Sequence, residues 1–205
     1  MRVRASLRRR NAEALLCVDG VHGFRVENAR FDELGADFLV SGCHKWLFGP
    51  RGTGLICGSE RGWGEYTPVI PSFDMSREAG PLATPGGYHS FEHRWALTEA
   101  FDFHAAIGAD RIAARTHELA TALKDGLAGI RGVRLFTPKD QGLSAGIVCC
   151  EVDGVSPEEA VDRLAGRKVV ASATPYRPSY LRFGPTILNT EQDVETALTA
   201  LRTLT

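Results

Sequence analysis

Ser41-Gly-Cys-His-Lys-Trp-Leu-Phe-Gly-Pro-Arg-Gly-Thr-Gly54 is a polar, glycine-rich stretch set between two apolar runs. Phe38-Leu-Val40 before it reads as the end of a buried strand, and Leu55-Ile-Cys57 after it as the start of the next. Lys45 thus stands at a strand exit, with His44 before it and glycines at 49, 52 and 54 behind it. Glycines let a backbone approach a ligand closely, and consecutive amide N–H groups make an anion site. A partly desolvated lysine is a nucleophile for carbonyl carbons. Schiff-base chemistry with an aldehyde-bearing phosphate ester would use both parts. On spacing alone, a surface lysine in a turn fits equally well.

A second feature lies upstream. Ala14-Leu-Leu-Cys-Val18 is a strand-like apolar segment that ends in Asp19-Gly20-Val21-His22. An acid at one strand exit and a lysine at the next can face a single crevice, and in open α/β sheets ligands bind at that edge. Pyridoxal phosphate (PLP) asks for a carboxylate on its pyridine nitrogen and a lysine on its aldehyde.

Val18-Asp19-Gly-Val-His22, Phe31-Asp-Glu-Leu-Gly-Ala-Asp-Phe38 and Cys43-His-Lys-Trp-Leu-Phe-Gly-Pro-Arg-Gly-Thr-Gly54 follow one another in this order. Together they resemble the class V aminotransferase-fold PLP enzymes, closest to the isopenicillin N epimerase-like branch. The resemblance runs from about Asn11 to the C-terminus. It implies an α/β chain with the PLP-dependent transferase fold (fold type I), truncated to its C-terminal part. The expected order is an unstructured basic extension over 1–13, a partial PLP-binding large domain over 14–130, and a small α+β domain over 131–205. The first half of the large sheet, a phosphate-binding turn and the side chain that stacks on the pyridine ring are expected to be missing.

Site roles follow from the same resemblance. Lys45 forms the Schiff base with PLP, and Asp19 pairs with the pyridine nitrogen. His22 sits where relatives contact the phenolic oxygen, and His44 where a histidine holds the phosphate or packs near the lysine. Ser41 is a phosphate hydroxyl, and Ser90, in Gly86-Gly-Tyr-His-Ser-Phe-Glu-His93, reaches toward a partner's phosphate across a dimer interface. Arg182, in Tyr180-Leu-Arg-Phe-Gly-Pro-Thr-Ile-Leu-Asn-Thr190, holds the substrate carboxylate, for which a guanidinium offers a planar fork. Bland readings stand beside these: a turn aspartate before Gly20, structural histidines, an edge-strand arginine in a surface pair. The substrate is an amino acid or a derivative of one, and the assembly a homodimer or a complex with a companion chain. A catalytically incompetent half is the alternative.

Composition narrows the field. The 25 acidic and 24 basic residues nearly cancel, so neither nucleic acid nor a membrane surface is implied as a partner. The cysteines, at 17, 43, 57, 149 and 150, are odd in number and lie mostly in apolar runs. They read as buried, reduced thiols of a cytoplasmic protein. No apolar run follows the basic first ten residues closely enough for a secretory leader, and no stretch is long enough to span a membrane.

Short apolar runs at 14–18, 37–41 and 53–58 predict buried strands of a mostly parallel sheet, and 59–87 a long loop. A helix is predicted from Ser90 to Gly108, with Phe91, Trp95, Leu97, Phe101, His104 and Ile107 mostly on one side. A second follows over 110–127, and a domain break near Gly129–Gly132. Beyond it, strands are predicted at 133–136, 145–152, 168–172 and 180–184, with helices opened by Ser156 and Thr190. His89-Ser-Phe-Glu92-His93 also fits the H-x-x-E-H pattern of zinc peptidases, which leaves a zinc hydrolase as a rival reading. Desulfuration needs a mobile cysteine ahead of the carboxylate arginine. None occurs after Val152, and Cys149 and Cys150 lie within a strand-like run, so a persulfide mechanism is disfavoured.

Overall fold

The computed structural model describes residues 2–70, 72–73, 83–84, 86–87 and 89–205. It comprises two compact units, Met1–Ile107 and Gly108–Thr205.

The first unit is built on three strands, β1 (Cys17–Asp19), β2 (Phe38–Gly42) and β3 (Gly54–Gly58), in that spatial order. β1 runs parallel to β2, with Asp19 opposite Val40. β3 returns antiparallel, placing Leu55 opposite Ser41 and Gly54 opposite Gly42. The sheet is therefore mixed where a mostly parallel one was expected, because the loop after β2 is short enough to turn the chain straight back. Cys17 is exposed rather than buried.

The N-terminal segment is helical, α1 (Arg2–Arg10), and not the unstructured extension expected. Arginine, alanine and leucine are good helix formers. The helix is also tied down, since Arg8 donates to Asp37 Oδ1 at 3.0 Å. Asp37 is 2% exposed, accepts from the Leu16 N–H at 2.8 Å, and lies 3.9 Å from Arg61. Burial pushes its carboxyl up, but the Leu16 N–H and the two guanidinium groups outweigh that and hold it below the usual range. After α2 (Phe31–Leu34), a further short helix, α3 (Glu60–Glu65), stands inside the predicted loop. Ser59 caps it by accepting from the Gly62 N–H, and Trp63 packs edge-on to Phe38 with ring centres 5.4 Å apart. The rest of the predicted loop falls partly outside the described residues.

Ser90 caps α4 (Phe91–Trp95), which runs on into α5 (Leu97–Ile107). The buried positions here are Ala100 and His104, while Phe91 and Trp95 face outward. Cys43, Leu47 and Ala100 form the centre of this unit's core, with Phe24, Leu55, Leu97 and Phe101 packed around them.

The second unit opens with α6 (Ala109–Ala128). Its buried stripe includes Ile112, Thr116, Leu119, Leu123 and Leu127, three or four residues apart as a helix face requires. Leu119, Leu123 and Leu127 join the core of the second unit. The unit boundary therefore falls at Ile107/Gly108, some twenty residues before the expected break. Lys124, 1% exposed, donates to the carbonyls of Pro138 and Lys139 at 3.2 Å and to Ser144 Oγ at 3.0 Å.

Four antiparallel strands, β4 (Val133–Leu135), β5 (Val148–Val152), β6 (Ser172–Ala173) and β7 (Leu181–Phe183), pair in the order β4-β5-β7-β6. Alternation sends Val148, Cys150 and Val152 of β5, and Leu181 and Phe183 of β7, into the core. Cys149 and Arg182 face the other way, directly opposite one another, with Ser172 on the far side of Arg182. β6 starts later than predicted because Lys168, at φ 61°, turns the chain off the preceding helix α7 (Pro157–Ala165). Thr190 caps the last helix, α8 (Glu191–Arg202), with reciprocal bonds to Asp193.

Candidate active site

β1 ends on Asp19, and the chain turns at once. Gly20 N–H donates to the Val40 carbonyl at 2.8 Å, and Gly23 and Phe24 N–H groups close the turn on the Gly20 carbonyl. Gly20 leaves room for Leu39, whose Cδ1 would lie 2.5 Å from an added Cβ and would have to move aside. Asp19 Oδ1 accepts from the Val21 N–H at 3.0 Å, which fixes the carboxylate at the sheet edge. This turn delivers His22.

The exit of β2 forms a closed loop. Cys43 N–H donates to the Thr53 carbonyl at 3.0 Å, and Gly49 N–H to the Cys43 carbonyl at 2.8 Å. Thr53 Oγ1 adds a bond to the Pro50 carbonyl at 2.6 Å. Within the loop Lys45 Nζ lies 3.0 Å from His22 Nε2, and the Trp46 indole N–H donates to His22 Nδ1 at 3.3 Å. His44 is exposed, its ring lying against Gly42.

A cavity of about 1350 Å³ lies along β2 and β3, lined among others by Asp19, Ser41, Thr53, His89, Ser90 and Arg94. Asp19, Ser41 and Ser90 are thus brought to one cavity. Lys45 and His22 pair with each other and are not among the residues lining it. Ser41 Oγ donates toward the Gly42 carbonyl at 3.1 Å and lies 3.5 Å from the Gly20 carbonyl. Ser90 Oγ bonds Glu92 Oε2 at 3.0 Å and accepts from the His93 N–H at 3.4 Å.

Arg182 belongs to the second unit. Its Nε donates to Ser172 Oγ at 3.0 Å, which orients the guanidinium in the plane of that contact. Burial pushes the Cys149 thiol up, and this outweighs the opposite pull of Arg182 and Thr137.

The zinc reading finds no support. His93 Nδ1 is 3.1 Å from the Arg51 carbonyl, and Glu92 is held by its own N–H and Ser90. Among the described residues no group of three possible ligands comes together.

Sequence reasoning missed Trp46 and Ser172 as partners of site residues. Trp46 was visible inside the lysine stretch, but residue order says nothing about which ring its N–H meets. Ser172 carried no signal, because its role depends on strand register.

Paired strands with an acid and a lysine at neighbouring exits, joined to a small antiparallel sheet with helices, define fold type I of the PLP-dependent transferases. The chain belongs to the class V aminotransferase family, whose description, "Aminotransferase class-V", matches residues 3–196. It is 28% identical over 155 residues to a probable cysteine desulfurase of Halalkalibacterium halodurans, covering 71% of this chain and 37% of that protein. It is 28% identical over 207 residues to isopenicillin N epimerase of Streptomyces clavuligerus, covering 92% and 52%. The solved apo cysteine desulfurase of Thermococcus onnurineus superposes with a TM-score of 0.81 at 22% identity, covering 95% of this chain and 53% of that one. The chain spans about half the length of these proteins, or less.

Proposed function

We propose that the chain supplies the lysine-and-aspartate part of a PLP site that acts on an amino acid or an amino-acid-derived substrate. The observation that carries this reading is the placement of Asp19 and the Lys45 loop at the exits of two neighbouring parallel strands. The donor set fits the cofactor: a carboxylate fixed at the sheet edge, an amine on a closed loop, and hydroxyls at one cavity. Glycine at 54 lets β3 pass close to β2 beside that cavity, since a Cβ there would lie 2.9 Å from the Ser41 carbonyl. Bound PLP would supply an electron sink for charge developing at the substrate's Cα.

In this reading Lys45 would hold the cofactor at its aldehyde, and its Nζ is the atom that would carry the substrate's α-proton. Asp19 holds the pyridine nitrogen protonated. His22 stands by the phenolic oxygen, and Ser41, His44 and Ser90 serve the phosphate. Arg182, with its Nε engaged by Ser172, keeps two guanidinium nitrogens suited to a carboxylate such as the substrate's. Transamination, epimerisation and lyase chemistry share this first proton removal. Persulfide chemistry is the poorest fit, because burial holds the Cys149 thiol up and pushes that of Cys150 up to about 12. The setting is cytoplasmic, and the assembly a homodimer.

A second reading is a half-site completed by a companion chain. One experiment separates them. The purified chain is incubated with PLP, its absorbance recorded before and after borohydride, and the adduct mapped by peptide mass, with Lys45→Ala as control. A visible-edge band that reduction fixes on Lys45 supports the first reading. A band that appears only with added companion protein supports the second. No Lys45-dependent band in either mixture refutes both.

A further inference from the structure

We propose that Trp46 is a positioning residue whose indole N–H locks His22 in the tautomer that offers a hydrogen to Lys45. The indole nitrogen carries one hydrogen and has no acceptor capacity. At 3.3 Å from His22 Nδ1 it is the donor, so Nδ1 presents a lone pair. A neutral imidazole with a bare Nδ1 carries its hydrogen on Nε2. That Nε2 is the atom 3.0 Å from Lys45 Nζ.

An ammonium has three hydrogens and no lone pair, so it cannot accept from Nε2–H. Only the free amine completes the contact. With the opposite tautomer, a bare Nε2 would accept from the ammonium and favour it. The indole hydrogen therefore favours the form of Lys45 that accepts from Nε2–H. The supported form is the one that attacks a carbonyl carbon, so the catalytic meaning of the lock rests on the reading of Lys45 given above.

The surroundings suit a lock. Trp46 is 9% exposed and belongs to the same closed loop as Lys45. His22 comes from the turn pinned by Gly20 to β2. Residues 45 and 46 grip the two nitrogens of one ring, so the imidazole cannot flip without breaking both contacts. Phenylalanine at position 46 would fill much of the space and donate nothing.

The test needs no cofactor. The full chain, with its histidine rings labelled with nitrogen-15, is studied by long-range proton–nitrogen correlation at neutral pH, with His22 assigned through His22→Gln. The expected result is a single Nε2–H tautomer for His22, and a tautomer mixture in Trp46→Phe. In parallel, a limiting acylating reagent is scored by mass spectrometry for Lys45 against exposed Lys168. The Lys45 to Lys168 ratio should fall about fivefold in Trp46→Phe, the worth of one ordinary hydrogen bond. If Trp46→Phe does not fold, 3-benzothienylalanine at position 46 keeps the ring shape and removes the N–H. A Nδ1–H tautomer in the parent chain, or an unchanged tautomer and labelling ratio in the variant, overturns the proposal. Failure of Lys45 to take PLP would sink the functional reading and leave the tautomer result standing.

Discussion

Removing the Asp37 carboxylate should unfasten α1 and the starts of β1 and β2 together. The carboxylate is buried, accepts from Leu16 N–H at 2.8 Å and from Arg8 at 3.0 Å, and has Arg61 at 3.9 Å. In Asp37→Ala the half-buried Leu16 N–H loses its partner, which costs about 1–2 kcal/mol. The charged bond to Arg8 would add as much again if fully buried. Arg8 and Arg61 keep 29% and 32% of their side-chain exposure and can return to water, which reduces that part to about 1 kcal/mol. The expected total is about 2–3 kcal/mol. Asp37→Asn keeps an oxygen for Leu16 and should lose only about 1–1.5 kcal/mol.

Urea unfolding followed by tryptophan fluorescence reads the right unit, because Trp46, Trp63 and Trp95 all lie in residues 1–107. Arg8→Ala combined with Asp37→Ala should cost clearly less than the two single losses added. The pH dependence has a defined sign. Because the folded carboxyl lies below its usual range, its stabilisation is full above about pH 4 and is lost as pH falls through the folded value. Asp37→Asn should lack that loss. An Asp37→Ala chain within 0.5 kcal/mol of the parent (well under the ~1 kcal/mol floor of an orphaned N–H), or an Asn variant as weak as the Ala one, would refute the clamp.

Two further outcomes are expected. If Arg182 holds the substrate carboxylate as proposed, Ser172→Ala, which removes the acceptor of its Nε, should raise KM for that substrate about fivefold with kcat little changed; Ser172→Thr should restore it, and an unchanged KM would detach Ser172 from substrate binding. His104 is 2% exposed, neither ring nitrogen makes a hydrogen bond of good geometry among the described residues, and burial, then Arg25, outweighs the nearby Trp46 backbone and holds its imidazole below the usual range. Its folded form is therefore at full stability above about pH 6.5 and loses stability as pH falls through the lowered value; His104→Phe, beside Phe48 and Phe103, should flatten that fall, and a slope identical to the parent's would show the loss to arise elsewhere.

What the sequence made legible was local or periodic. Ser90, Ser156 and Thr190 cap helices as their residue types foretell, and the apolar runs before Asp19 and Lys45 became paired strands. What it hid depends on distant partners. α1 has no apolar stripe to announce it, and its anchor Asp37 stands 29 residues beyond Arg8. α3 hides in a stretch rich in glycine, proline and serine, held by the Ser59 cap and the packing of Trp63 on Phe38. Cys17, in an apolar run, is exposed because an edge strand only three residues long is not covered there. The long helix α6 reads the same in either unit, and only its contacts show which core takes its leucines. In the site, Asp19 and Lys45 were visible as strand exits, whereas the grip on His22 and the bond behind Arg182 needed three dimensions.

The lysine loop is shut almost wholly by main chain: Cys43 to Thr53, Gly49 to Cys43, and glycines at 49 and 54 that press against carbonyls. Backbone fastenings do not depend on which side chains decorate them. Arg51, on the outside of the loop, can therefore be exchanged in the course of descent without displacing the amine. Such a loop lets a lineage change its surface while the lysine stays where it was.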